Sequence, residues 1–378
     1  MLFLRIEIQR KIHMKYTILA IVFFLLLSSC RKTATSKTAE TSSTLYFPPT
    51  GSSEWATSTP ESLGWNVANL QDVYDFLESQ QTRAFLVLKD GKIVVEKYFG
   101  LNIQGTALFN QSSSWYWASA GKTLTGFVVG KAQQEGYLNI NNKTSQYLGA
   151  GWTSEPVAKE AGITVRHQLT MTTGLDDATG DADNTTPSAL LYKADAGTRW
   201  AYHNAPYTLL QKVVSKATGQ SFNTYFDAKL KNKTGMDGQW ITSGYENVYW
   251  STPRSMARFG LLMLAKAAWN GTDLLVDSAY YNASINTSQR LNLSYGYLWW
   301  LNGKASGMVP QSQVVFPTML CSAAPPDMFA AMGKNGQLLN IVPSKGLVLV
   351  RMGDNANNTL VPVAFQNELW AKLKNVIN

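Results

Sequence analysis

Strand-forming runs sit at both ends of this chain with a long helical block between them, and that order constrains the fold more than any other feature. Residues 84–88 and 93–98 are rich in Val, Ile, Leu and aromatics and flank Asp90-Gly91, a favoured tight-turn pair between strands. Three more short β runs come late, at 328–332, 338–342 and 347–352, separated by Lys334-Asn335-Gly336 and by Pro343-Ser344-Lys345-Gly346. Strands at both ends most simply join one antiparallel sheet.

The stretches between read as helices. Residues 66–79 carry Val67, Leu70, Val73 and Phe76 at three-residue steps. A helix begins around Ser119, with Leu124, Phe127 and Val128 as its apolar stripe and Gly136 as its stop. A short helix is expected at 165–171 and a longer one at 207–218, stopped by Gly219. Thr252 and Pro253 are cap and first-turn residue of another at 254–268. The last helix repeats Phe365, Leu369, Leu373 and Ile377. The fold class expected is α+β: an antiparallel sheet flanked by the first and last helices, plus a mostly helical second lobe. The sheet lobe takes about 60–110 and 295–378, the helical lobe about 111–294, with the site in the cleft between them.

The chain start is read separately. A basic flank (Lys15, with Arg10 and Lys11 if translation starts at Met1 rather than Met14) precedes an apolar run too short for a stable membrane anchor. Leu27-Ser28-Ser29-Cys30 closes it and resembles a lipobox. Residues 1–29 are therefore expected to be a lipoprotein signal, with Cys30 as the lipidated first mature residue. Residues 30–55 are expected to be a Ser/Thr-rich tether and 56–378 the folded domain. This puts the protein outside the cytoplasm of a bacterium, held to a membrane through lipid on Cys30.

Composition excludes several classes. The formal charge of +8 falls by three once residues 1–29 go, and Lys/Arg runs are absent after the tether, so no nucleic-acid partner is expected. Cys321 is then the one remaining cysteine, in apolar surroundings that suggest a buried small hydrophobe. Of three histidines, His13 lies in the signal. His167 and His203 lack the Gly-x-Ser-x-Gly elbow that would make either a triad base. Asp176 to Asp183 lacks the terminal Glu of an EF-hand loop and reads as a rim loop. No metal and no cofactor are expected, and a monomer is expected.

Ser119-Ala120-Gly121-Lys122 carries the chemistry. A lysine one helical turn after a serine shares its face, so the amine can take the hydroxyl proton. Tyr202-His203-Asn204 and Lys334-Asn335-Gly336 follow in that order, and together the three patterns point to a serine-lysine acyl enzyme.

The element order and these motifs resemble the β-lactamase-related serine hydrolases, which include class C β-lactamases, D-alanyl-D-alanine peptidases, family VIII carboxylesterases and 6-aminohexanoate-oligomer hydrolases. Supporting stretches are Ile163 to Leu175, Ala196 to Asn204, Gly296 to Trp300 and Gly336-Gln337 near Pro343. The resemblance implies a β-lactamase/transpeptidase-like fold with Ser119 as nucleophile. Lys122 would be proton acceptor or relay, and Tyr202 base or shuttle. Asn204 would orient Lys122 and bind the acyl amide. Lys334, Asn335 and Gly336 would form the substrate-binding strand motif, with the Ser119 and Gln337 N–H groups as oxyanion hole. Which of Lys122 and Tyr202 is the base stays open. Asn335 departs from the Lys-Thr-Gly of β-lactamases and peptidases. A small ester or amide, or a peptide-like molecule, is the expected substrate. A β-lactamase or D-alanyl-D-alanine carboxypeptidase is the alternative, and a catalytically silent tethered binding protein is the second.

Overall fold

Asp90 and Gly91 both adopt positive φ (49° and 85°), and they join β1 (Thr82–Lys89) to β2 (Lys92–Tyr98) in the tight hairpin the sequence predicts. A computed structural model describes residues 45–354 and 360–377, which fall within one compact unit. The expected signal, most of the expected tether and Cys30 lie outside the described residues. The folded unit starts earlier than residue 56. The Tyr46 N–H bonds the Asp90 carbonyl and Trp55 Nε1 bonds the Gly91 carbonyl, so residues 45–55 pack on the hairpin rather than belong to a tether.

In chain order, helix α1 (Leu70–Ser79) precedes the hairpin, and β3 (Trp115–Tyr116) leads into a 3-10 turn at Ala118–Gly121. Helix α2 (Lys122–Gln134) continues from that turn, and α3 (Asn204–Thr218) follows after a stretch of loops and short helical turns that includes the expected short helix, at Val165–Leu169. A hairpin of β4 (Gln239–Ser243) and β5 (Glu246–Ser251) comes next, then α4 (Pro253–Leu264) and the ribbon of β6 (Ala268–Trp269) and β7 (Thr272–Asp273). The short β8 (Trp300–Leu301) precedes β9 (Phe329–Gly333), β10 (Gln337–Val342) and β11 (Leu347–Gly353), and α5 (Val363–Leu373) ends the chain.

The main sheet is antiparallel, in the order β2-β1-β11-β10-β9-β8. The N-terminal hairpin and the C-terminal strands share it through β1 against β11, with Leu86 opposite Val350. α1 and α5 pack together, Phe76 stacking on Phe365 at 5.5 Å, while α4 lies against β10 and β11. Gly260 of α4 has no room for a Cβ, which would sit 2.5 Å from Val348 and 2.7 Å from Leu339. Helix and sheet therefore meet backbone to side chain.

The expected helical lobe also holds a second sheet, in the order β3-β5-β4. Its β4–β5 hairpin was not read from the sequence, although Ser243-Gly244 separates alternating runs there. Trp115, Trp117, Trp200, Trp299 and Trp300 are all core residues, each at most 2 % exposed. Cys321 is buried and free, and burial pushes its thiol up to about 11.

Candidate active site

Two features fix the turn that carries Ser119, the expected nucleophile. Ala118 is held at φ 46°, a left-handed conformation that a side-chain-bearing residue rarely adopts and that is concentrated at functional sites. The Trp117 N–H bonds the Tyr249 carbonyl (2.8 Å) and its indole N–H bonds Ser251 Oγ (2.8 Å), anchoring the turn to β5. Ser119 follows, one residue before the buried Ala120.

Lys122 Nζ donates to Ser119 Oγ at 2.9 Å. Its side chain is 4 % exposed, and the amine lies 4.4 Å from the Tyr207 ring centre and 5.0 Å from that of Tyr202. Burial disfavours its charged form and brings its pKa down to about 7, against the upward pull of Asp183 and Glu246. Tyr202 behaves oppositely. Burial raises its phenol pKa, and the hydrogen bond with Ser119 offsets only part of that. Its ring stacks on Trp300 at 5.6 Å, which sets its orientation. Near neutrality Lys122 is thus poised between its two forms while Tyr202 keeps its proton.

These residues line a cleft of about 550 Å³ that Tyr116, Asn204, Trp250 and Lys334 also line. Asn204, the first residue of α3, leaves its Oδ1 buried without a donor. It is not the group that holds Lys122, whose amine is directed at Ser119 between the Tyr202 and Tyr207 rings. Three carboxylates reach the cleft as well: Asp177, Asp183 and Glu246. Asp177 is paired with Arg199 at 2.6 Å. Burial raises the Glu246 pKa, with Asp183 adding to it and Lys122 and Lys334 opposing it. Sequence reasoning missed Glu246 because it sits on the unread β4–β5 hairpin.

The opposite wall differs from the motif reading. Lys334-Asn335-Gly336 is not part of a strand facing the cleft; it is the tight turn between β9 and β10, with Asn335 at φ 63° and Gly336 at φ 80°. Asn335 Nδ2 donates to Tyr116 Oη (2.8 Å) instead of facing the cleft. Gly336 faces the Arg351 guanidinium, where a Cβ would come within 2.7 Å of Nη1. Gln337 is fully buried in β10. Its Nε2 donates to the Gly353 carbonyl (2.6 Å) and its Oε1 accepts from the Gly353 N–H (3.1 Å). The residue that meets the nucleophile turn is Gly333 at the end of β9. A Cβ there would lie 2.5 Å from the Trp117 carbonyl oxygen and 3.1 Å from the Ser119 nitrogen. Gln337 is therefore corrected as an oxyanion donor, because β9 and not β10 abuts Ser119.

The histidines play other parts. His167 Nδ1 turns back to the Thr164 N–H (3.1 Å) and closes a capping box. His203 precedes α3, 3 % exposed, and burial lowers its pKa to about 4. Among the described residues no group of three or more His, Cys, Asp or Glu is placed to hold a metal ion, and no helix is long and apolar enough to cross a membrane.

A model of the Beta-lactamase family matches residues 75–359, three-quarters of the chain. The chain belongs to the Beta-lactamase family. An uncharacterized protein of Alkalihalophilus pseudofirmus is 25 % identical over 316 residues, which cover 75 % of this chain and 87 % of that one. Protein flp of Staphylococcus aureus is 25 % identical over 155 residues, 38 % of this chain and 31 % of its own length. Among solved structures, a candidate 6-aminohexanoate-dimer hydrolase from Bacillus anthracis superposes with a TM-score of 0.65 at 18 % identity, covering 87 % of this chain and 89 % of that one. A penicillin-binding protein homolog from Caulobacter crescentus gives 0.64 at 13 %, covering 81 % and 96 %. These superpositions place the fold among β-lactamase/transpeptidase-like proteins, and family membership places the chain in the β-lactamase-related serine hydrolase superfamily.

Proposed function

We propose that this family member hydrolyses a small ester or amide through an acyl-Ser119 intermediate, with Lys122 as base and Tyr202 as proton relay. The observation that carries the reading is the buried 2.9 Å contact between Lys122 Nζ and Ser119 Oγ, with the amine near its titration point at neutral pH. A general base works best when its pKa lies near the working pH. The neutral amine takes the Ser119 proton as Oγ bonds to the substrate carbonyl carbon. Negative charge then collects on the carbonyl oxygen, where the Ser119 N–H is one donor. Gly333 pairs with Gln337 across the hairpin, so strand alternation turns the next amide, that of Lys334, toward the free edge beside Ser119. The second donor in this reading is that Lys334 N–H.

Collapse of the tetrahedral adduct breaks the bond to the leaving alcohol or amine. The proton held by Lys122 passes to that leaving atom through the Tyr202 hydroxyl. Water then attacks the acyl carbon and gives a proton to Lys122; as the bond between the acyl carbon and Oγ breaks, Lys122 passes that proton to Oγ, restoring Ser119 and releasing the acid.

The β-lactamase or D,D-peptidase reading draws on Lys334 in the cleft and on the penicillin-binding names among the structural relatives. Two observations favour the ester or amide reading over it. Asn335 is occupied with Tyr116, and Asp177, Asp183 and Glu246 give the cleft a negative side that disfavours a substrate carboxylate. The silent binding-protein reading has the assembled Ser119, Lys122 and Tyr202 against it. Lipid attachment at Cys30 and an extracytoplasmic location stay part of the proposal. Palmitate labelling that persists in Cys30→Ser would remove them.

The deciding experiment treats the domain from residue 45 with a fluorophosphonate, with and without penicillin, and reads intact mass. One adduct at Ser119, untouched by penicillin, is expected. Blocking by penicillin would transfer the assignment to β-lactam or D-alanyl-D-alanine chemistry, and the lack of any adduct would revive the binding protein.

A further inference from the structure

Arg351 lies in the middle of the sheet on β11, fully buried, where a cation is expensive to hold. Its register partners are Phe85 on β1 and Leu338 on β10, so nothing in the strand pattern calls for charge. The Asp354 carboxylate is directed elsewhere, to Tyr116 Oη (3.0 Å) and Arg83 (3.8 Å). The guanidinium instead collects neutral oxygens. Nη1 donates to the Asn335 carbonyl (2.7 Å), Nη2 to the carbonyls of Gln80 (2.6 Å) and Asp354, and Nε to Thr82 Oγ1 (3.0 Å). Its flat face covers the Phe365 ring at 4.9 Å. It thus ties α1, β1, the end of β11 and the β9–β10 turn to one rigid fork, and a guanidinium can do this where an ammonium cannot.

The Asn335 carbonyl belongs to the Asn335–Gly336 peptide, and Asn335 directly follows Lys334, whose amide is assigned above to the oxyanion. Gly336 lets the fork come that close, since a Cβ there would overlap Nη1 at 2.7 Å. We propose that Arg351 is a positioning residue: it fixes the β9–β10 turn so that the Lys334 N–H is aimed at the oxyanion formed on the acyl group of Ser119. This rests on the acyl-Ser119 reading. It makes no substrate contact itself, and its effect is on the transition state rather than on binding.

The test uses a fluorophosphonate, whose phosphoryl oxygen occupies the oxyanion position, and measures the saturating rate of Ser119 phosphonylation separately from the half-saturating concentration. In Arg351→Ala the saturating rate is expected to fall about 100-fold, as for a lost or misplaced oxyanion donor, with the half-saturating concentration little changed. Millimolar guanidinium should restore part of the rate by refilling the site, which a general loss of packing would not allow. Gly336→Ala keeps the charge but pushes the turn off the fork. It should show the same rate loss without guanidinium rescue.

A folded Arg351→Ala that reacts at the parental rate overturns the proposal, as does a slow one that guanidinium leaves slow while Gly336→Ala reacts normally. If Arg351→Ala does not fold, Gly336→Ala decides: a parental rate overturns the proposal, and a low rate at unchanged half-saturation supports it. Ser119→Ala separates the two layers. An adduct persisting there sinks the acyl-Ser119 reading itself, whereas no adduct there beside a fully reactive Arg351→Ala sinks only the positioning role.

Discussion

The two walls of the cleft are built by different means. On the helical side, Ser119 and Lys122 lie three residues apart in one continuous stretch, and a single turn of backbone brings amine to hydroxyl. On the sheet side, no short segment suffices. Gly333 reaches Ser119 only because β9 is edge-exposed beyond β8, which pairs with Phe329 and Ala330 alone. The turn after it is held by Arg351, sixteen residues downstream, and by Tyr116, more than two hundred upstream. The proposed proton chemistry therefore draws on a local feature of this chain, and the proposed stabilisation of the developing charge on a long-range one.

Breaking the local wall should have the largest effect. Ser119→Ala is expected to lose about 10⁴-fold or more in kcat on an activated ester, leaving only the background supplied by binding and the oxyanion donors. Near-parental turnover in that variant would mean the chemistry lies elsewhere. Lys122→Met should follow with about a 10³-fold loss, within the usual range for a general base. The parental kcat/KM should rise through pH about 7 as Lys122 releases its proton. A profile flat from pH 5 to 9 would shift the base role away from Lys122.

The same substitution should raise Tm. The folded amine titrates at about 7 and the unfolded one near 10.5. Between those values the unfolded chain holds more protons, so parental stability rises with pH across that window. The advantage of Lys122→Met is then greatest at pH 7 and below and shrinks toward 10.5. An equal Tm difference at pH 6 and pH 10 would contradict the burial cost.

The long-range wall is probed by Gly333→Ala. Its backbone is extended and tolerates a side chain, so the whole effect comes from a Cβ 2.5 Å from the Trp117 carbonyl. The overpacking should cost about 1–3 kcal/mol of stability. It should also cost about 100-fold in kcat, the scale of a small misplacement at the reacting centre. Unchanged kinetics would show that β9 does not set the nucleophile. Smallest of all should be Asn335→Ala. It loses the bond to Tyr116 and puts alanine at positive φ, worth about 1–2 kcal/mol together, while KM stays near parental. A tenfold rise in KM would return Asn335 to the substrate-contacting role that its motif implies.

The difference between walls also explains what could be read in advance. The Asp90-Gly91 hairpin, the Thr252-Pro253 helix start, the Gly219 stop and the three late strands are short-range patterns and are found where the sequence puts them. The β4–β5 hairpin escaped because its strands, Trp240 and Ile241 in one and Tyr249 and Trp250 in the other, interrupt a helical block without an Asn-Gly or Asp-Gly turn. Lys334-Asn335-Gly336 was legible in two ways, as a break between two strands and as the spelling of a substrate-binding strand motif. The pairing of Gly333 with Gln337 decides for the break, because the chain reverses there.

The sequence by itself determined the superfamily, through the order of its short motifs, the one-turn spacing of Ser119 and Lys122, and the order in which sheet and helices are made, because each motif or element is spelled by residues within a turn or a strand of one another. Tertiary structure decided which backbone meets Ser119, what Asn335 and Gln337 bind, and the protonation of Lys122 and Tyr202. Those depend on burial and on register between strands far apart in the chain, and a one-residue change in register exchanges the face and the partner of every residue along the strand.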